Sequence, residues 1–227
     1  MSTLLAYSFQ WDVVRPAIGE LWHGLKVTLE LSVLSLVFSL ALGLVVAVCR
    51  LSPLRLLRAA AYFYVQLFRA LSLFIYVLWI YFGIAGTIGI NFNPLTAGVL
   101  ALTFLNSAYM AEIYRSALGA VDPGQREAAM SLGFGRVRAF STVIFPQAIR
   151  IAVPSLVNQF VDIVKDSSII AIIGTADLFG VTNRMVNYYR APFELYTLVA
   201  GFYLTIILII SALAAMLERR LQRHVQH

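Results

Sequence analysis

From Ala70 to Ala111 the chain runs 42 residues without a charged side chain. One straight helix of that length would measure about 63 Å, roughly twice the thickness of a bilayer core. The run is therefore two spans and a turn, and Gly83, Gly86, Gly89, Asn91, Asn93 and Pro94 supply the punctuation between them. Composition agrees with a membrane chain. Apolar residues make up 60% and charged residues 12% of the 227, where soluble domains hold about 45–50% and about 25%. Mean hydropathy is +0.83. A soluble globular enzyme is excluded.

Three more apolar stretches complete the pattern. Leu31–Cys49 is free of charge and closes at Arg50, Leu195–Leu217 is charge-free up to Glu218, and Ile151–Ile173 is apolar but carries Asp162, Lys165 and Asp166. The expected spans are 27–49, 60–82, 95–114, 151–173 and 195–217, in one transmembrane domain covering 1–227. Backbone polar groups in lipid must be satisfied within the chain, so the expected fold is all-α. Ahead of the first span, Trp11, Val14, Ile18, Leu21, Trp22 and Leu25 recur at helical spacing, with Asp12, Arg15 and Glu20 opposite. That pattern predicts a separate amphipathic helix lying in the membrane interface.

Basic residues orient the spans. Eleven arginines, at 50, 55, 58, 115, 126, 136, 138, 150, 219, 220 and 223, fall on one side, against Arg15, Lys26, Arg184 and Arg190 on the other. The expected topology is N-terminus outside, C-terminus and the 115–150 loop in the cytoplasm.

Several chemistries are excluded. Cys49 is the only cysteine, and His23, His224 and His227 lie near the chain ends, so no metal-ligand cluster is expected. The net charge of +6 follows membrane loops rather than a nucleic-acid-binding face. The only lysines are Lys26 and Lys165, preceded by Leu25 and Val164, so no phosphate-binding Gly-Lys-Ser/Thr loop can form. If ATP hydrolysis drives this chain, another polypeptide performs it. No cofactor is expected.

Residues 115–150 form the one sizeable polar stretch. Asp122-Pro123-Gly124-Gln125 reads as a helix start, with Asp as cap, Pro at the first position and Gln three residues after the cap. Gly133 and Gly135 then turn the chain, and Arg136–Phe145 is expected to form a second short helix ending before Pro146. Either this capped pair rests on the membrane surface or it contacts a partner.

Charges within spans imply function or pairing. Ser155, Asn158, Gln159, Asp162, Lys165 and Asp166 form one polar stripe, and Asn106, Ser107, Met110 and Glu112 a second set on the third span. Two readings stand beside each other: the intrahelical ion pairs Asp162–Lys165 and Glu112–Arg115, or an anionic site suited to an ammonium group. Arg69 is either a snorkelling residue or a gate.

Gln125-Arg126-Glu127-Ala128-Ala129, Gly133 and Ile144-Phe145-Pro146 resemble the EAA loop of ABC importer membrane subunits. Asn106–Arg115, Pro146–Arg150, Asn158-Gln159-Phe160 and Val164–Ser168 are similar to the polar amino acid uptake branch. The resemblance covers about residues 19–220. It implies a type I importer permease fold in a bacterial inner membrane, with an ATP-binding subunit dimer, a second permease and an extracytoplasmic solute-binding protein as partners. It implies that Arg126, Glu127, Ala128, Ala129, Gly133, Gly135 and Pro146 belong to a coupling helix seated in a groove of the ATPase. It also implies substrate between the third and fourth spans, at Asn106, Ser107, Met110, Glu112, Asn158, Asp162 and Asp166. The substrate class would be a polar amino acid or a related zwitterion. The family's Arg-Gly-Thr-Pro is here Arg69-Ala70-Leu71-Ser72. Loss of Gly and Pro predicts a straighter helix there, and leaves open a permease half that is mainly structural beside a substrate-binding sister. A passive channel is the third alternative.

Overall fold

The computed structural model describes residues 9–222, apart from the side chains of Ile88 and of residues 217–222. Arg223, His224 and His227 lie outside the described residues. The described residues form helices joined by short connections, with no strand. In chain order the helices are α1 (Val14–Leu51), α2 (Arg55–Ala70), α3 (Leu73–Leu78), α4 (Ala85–Ile88), α5 (Pro94–Gly119), α6 (Pro123–Ser131), α7 (Arg136–Ala139), α8 (Phe145–Asp166), α9 (Leu178–Tyr189) and α10 (Pro192–Gln222). Among the described residues, four continuous helical stretches are long and apolar enough to cross a membrane: Trp11–Leu51, Pro94–Gly119, Arg136–Ile173 and Pro192–Met216. A fifth candidate, Arg55–Ala70 with Leu73–Thr87, is bent by 104°.

α5 is the axis of the bundle. Of its apolar window 67% is buried, against 11% for the windows in Arg136–Ile173 and in α10, so these two leave faces uncovered. Small residues line the buried side of α1: Thr28, Ser32, Ser35, Ser39 and Gly43 are all buried, Ser39 and Gly43 against α5 and Thr28 accepting from the Leu178 N–H of α9 at 2.9 Å. Lipid offers no hydrophobic drive between helices, so close approach supplies the attraction. A Cβ on Gly43 would sit 2.8 Å from the Met110 Cβ and 3.0 Å from the Ser107 carbonyl oxygen, which is why glycine is needed there.

The N-terminal segment corrects the first expectation. No separate interfacial helix forms: α1 continues unbroken through it. Ala17, Leu21 and Leu25 are buried against Leu178, Val181 and Met185 of α9 and Leu195 and Val199 of α10. The apolar stripe that suggested an interface finds protein instead, while Trp11, Ile18 and Trp22 stay exposed.

The second correction is at Leu71–Ser72. The expected straighter helix is instead a 104° bend. Leu71 (φ −106°, ψ 153°) and Ser72 (φ −70°, ψ 143°) take ordinary extended backbone, which needs neither Gly nor Pro. The corner is held by Tyr76, whose hydroxyl donates to the Leu67 carbonyl at 2.6 Å, one of the acceptors left open at the end of α2. Phe68 stacks between Tyr76 and Phe104 at 5.1 and 5.5 Å.

The third correction concerns Pro146. The second loop helix does not end before it. A π-helical turn over Phe140–Ile144 carries the chain from α7 into α8, and the Phe145 N–H donates to the Phe140 carbonyl. Widening the turn accommodates the proline, which has no N–H of its own.

Beyond the Arg136–Ile173 stretch, Asp177 caps α9. Its Oδ2 accepts from the Phe179 N–H at 3.2 Å, while Oδ1 is buried with no hydrogen-bond partner. Burial pushes the carboxyl up to about 7. The folded state thus keeps a proton that the unfolded chain releases at ordinary carboxylate pH. The folded form binds more protons across that window, so stability falls as pH rises from about 4 through about 7 and levels off above. Asp177→Asn is expected to remove this slope and to raise Tm at pH 8 by several degrees while changing little at pH 4. Thermal unfolding in detergent across that range checks it; a variant that keeps the wild-type slope would refute the assignment.

Candidate functional site

The polar residues picked out on the third and fourth spans separate into three environments. Asn106, Ser107 and Met110 are fully buried. Asn106 donates to the Leu102 carbonyl at 2.8 Å and accepts from Gln159 Nε2 at 2.7 Å, which joins α5 to α8. Ser107 Oγ meets the Tyr64 hydroxyl at 2.6 Å, and Met110 packs in the central core with Leu31, Leu102 and Ile163.

A second group faces outward on α8. Asn158, Asp162 and Lys165 are exposed in the single chain and Asp166 is half-buried. Lys165 Nζ lies 3.2 Å from Asp162 Oδ1, with both side chains about half exposed. Hydrocarbon would not tolerate this face, so protein or water covers it in the membrane.

The third environment is a polar cavity of about 350 Å³ between α2, α5 and α8, whose lining includes Arg69, Tyr109, Glu112, Arg115, Ser155 and Gln159. The Arg69 guanidinium lies over the Tyr109 ring at 5.0 Å. Glu112 is held by both Arg50 of α1 and Arg115, the latter through Nε at 3.0 Å and Nη2 at 2.8 Å. Arg50 stands 62 residues away, so no local spacing announced it; the only trace was its place at the end of a charge-free run. Tyr109 was missed for the same reason: its partner Arg69 is on another helix.

The loop hairpin is built largely as its residues require. The Asp122 side chain accepts from the Gly124 N–H at 2.7 Å, and Pro123 starts α6. The Gln125 side chain does not close a capping box on Asp122. Its Oε1 accepts instead from Gln147 Nε2 at 3.2 Å, tying α6 to α8. Gly133 has φ +80°, and the flanking Phe134 N–H donates to the Ala129 carbonyl at 3.1 Å, the Schellman arrangement. Gly135 has φ −65° and needs no glycine on that ground. Arg126, Glu127 and Ala128 are exposed, whereas Ala129 turns into the chain. Leu132 and Val137, 77% and 82% exposed, add an apolar surface that the sequence reading missed.

A bundle of this kind, with charged side chains among apolar helices long enough to span a bilayer and a capped hairpin at one end, fits a membrane-embedded protein. The comparisons with known proteins give its family. Residues 39–223 match the binding-protein-dependent transport system inner membrane component family, and the chain belongs to it. It is 34% identical over 210 residues to a putative glutamine transport system permease protein of Rickettsia felis, covering 91% of this chain and 94% of that one. It is 32% identical to an arginine transport system permease protein of Bacillus subtilis, with 95% and 98% covered. Its fold matches the crystal structure of an amino acid ABC transporter with histidines at a TM-score of 0.90 and 35% identity, over 94% of this chain and all of that one. A methionine ABC transporter shares the fold at 19% identity and TM-score 0.76, over 91% and 98% of the two chains. The chain is therefore the multi-pass permease subunit of an ABC importer, a transport subunit rather than an enzyme. ATP hydrolysis resides on a separate subunit, and the family works with an ATPase and a binding protein.

Proposed function

We propose that this permease imports a polar amino acid or an amino-acid-like zwitterion. The observation that carries the reading is the cavity between α2, α5 and α8. There Arg69 presents a guanidinium with no carboxylate partner among the described ion pairs, Arg115 and Glu112 line the same space as a pair, and the amide of Gln159 and the Ser155 hydroxyl lie beside them. A carboxylate meeting a guanidinium makes a charge-assisted bond. Asp162 and Asp166 do not line this cavity: they lie roughly 10 and 16 Å beyond Ser155 along α8 and form a separate anionic set that an ammonium group would meet at another stage of passage. The printed names of relatives, glutamine and arginine permeases, support the same class.

In this reading a second permease covers the exposed polar face of α8. Residues 126–137 dock in an ATPase dimer, and a soluble binding protein delivers substrate from outside. The subunit sits in a bacterial inner membrane as five spans, the bent α2–α3 pair counted as one. The N-terminus is outside and residues 115–150 inside, as the arginine distribution supports. Labelling cysteines at Gly124 and Asn187 with an impermeant reagent, in a Cys49→Ser background, tests the orientation; external labelling of position 124 in intact cells would overturn it.

Alternating access requires ATP and substrate to prefer different states, since equal affinity shifts nothing. With ATPase and binding protein reconstituted, Asp166→Asn is expected to raise the substrate concentration needed for half-maximal ATPase stimulation about 10- to 100-fold, the worth of one charge-assisted bond. Asp162→Asn serves as control. Equal damage from both would assign them to an ion-pair network, and an unchanged Asp166→Asn would assign the site to the sister permease. One observation favours that second outcome: Glu112 is already engaged by Arg50 and Arg115. Uptake without the ATPase would instead identify a passive facilitator.

A further inference from the structure

Where α1 ends, a second cavity of about 470 Å³ is lined by Arg50, Arg55, Arg58, Ala59, Tyr62 and Arg115. Four guanidinium groups converge on it. The carboxylate nearest to them, Glu112, is shared by Arg50 and Arg115. The described ion pairs include neither Arg55 nor Arg58, which are exposed one turn apart on the same face of α2. Tyr62, one turn further on that face, carries the Arg50 guanidinium over its ring at 5.5 Å. α2 begins with no side-chain cap, so its first N–H groups face the same end as the arginines. Together these give a site for an anion of more than one charge-bearing oxygen.

The surroundings decide what carries that anion. Leu51, Leu54 and Leu56 are 55%, 61% and 83% exposed, and they flank the arginines in sequence and space. A soluble acidic protein would satisfy the cations and leave these leucines in water. A phospholipid satisfies both, with its phosphate among the guanidinium groups and its chains along the leucines. We propose that this pocket binds the headgroup phosphate of an anionic phospholipid, and that the permease carries that lipid as a fixed component of its boundary.

The test uses the permease assembled with its ATPase subunit, stripped of lipid in detergent and then exposed to phosphatidylglycerol or phosphatidylcholine. Lipid retained after repurification is counted by native mass spectrometry. Wild type is expected to retain phosphatidylglycerol preferentially. Arg55→Gln with Arg58→Gln should weaken that retention about 30-fold, taking about a fivefold loss per arginine at a membrane surface. Phosphatidylcholine should be unaffected. Arg55→Lys with Arg58→Lys keeps the charge and should keep most of the retention. Equal loss in the lysine pair would mean structural damage and overturn the proposal. So would unchanged phosphatidylglycerol retention in the glutamine pair. If inorganic phosphate at millimolar concentration displaces the lipid completely, the pocket is a free-phosphate site. If the glutamine pair sheds its ATPase while keeping the lipid, the arginines dock protein. Either result also overturns the proposal.

Discussion

Gly133→Arg is expected to abolish ATP-dependent uptake while leaving the protein inserted in the membrane. Two separate penalties act at this position. Its φ of +80° lies where a side chain costs roughly 1 kcal/mol or more. The arginine would also project from the corner between α6 and α7, beside exposed Leu132, into the surface proposed to meet the ATPase. Gly133→Ala separates the two, because open space surrounds the position. It carries the strain without the bulk and should retain much of its transport. Glu127→Arg, which inverts an exposed charge on α6 without touching the backbone, should also uncouple. Co-purification of the ATPase and its substrate-stimulated turnover are the measurements. Full co-purification and transport in Gly133→Arg would remove the hairpin from the coupling path.

The second large effect is expected at the ion cluster joining α1 to α5. Arg50 and Glu112 side chains are only 13% and 20% exposed. Glu112→Ala leaves the Arg50 guanidinium, which is mostly buried but reaches the cavity at the end of α1, without its carboxylate partner. Breaking one side of a buried pair costs about 3–5 kcal/mol, a large part of the stability of an ordinary domain. The double variant Arg50→Met with Glu112→Leu removes both charges and should recover most of the loss. Folded yield after detergent extraction, and Tm of what remains, report it. A Glu112→Ala protein as stable as wild type would show that Arg115 and water suffice.

Much of the architecture was legible because charge is so costly in hydrocarbon. The charge-free runs ending at Arg50 and beginning at Ala70 and Leu195 mark α1, α5 and α10 without reference to packing. The α6 start was legible too, since Asp122 and Pro123 act on their own backbone. What escaped depended on distant partners. The stripe of Ala17, Leu21 and Leu25 looks the same whether it meets lipid headgroups or α9, and only the tertiary fold decides. The bend at Leu71–Ser72 uses backbone angles open to any residue, so no punctuating residue announced it. Gln125 fitted a capping box by spacing, yet Gln147, 22 residues on, offered its amide instead. Of the candidate site, residue identities were readable but not their grouping. Asn106, Ser107 and Met110 support the core, Asp162 faces outward, and Glu112 is drawn to an arginine on another helix.

The continuous helical stretch from Arg136 to Ile173 holds two points of give, the π-turn over Phe140–Ile144 and Pro154 within α8. At 38 residues it is about 57 Å long, so each degree of tilt about one end carries the other by about 1 Å. The first turn of α8, not the end of the stretch, is bonded to α6 through Gln147 and Gln125, and the part beyond Pro154 bears Asn158, Asp162 and Lys165. A displacement of α6 is therefore handed directly to the start of α8, and what reaches those groups depends on how far the helix yields at Pro154. The give at that proline, more than any pathway of contacts, sets how far a displacement at the proposed ATPase surface reaches into the membrane.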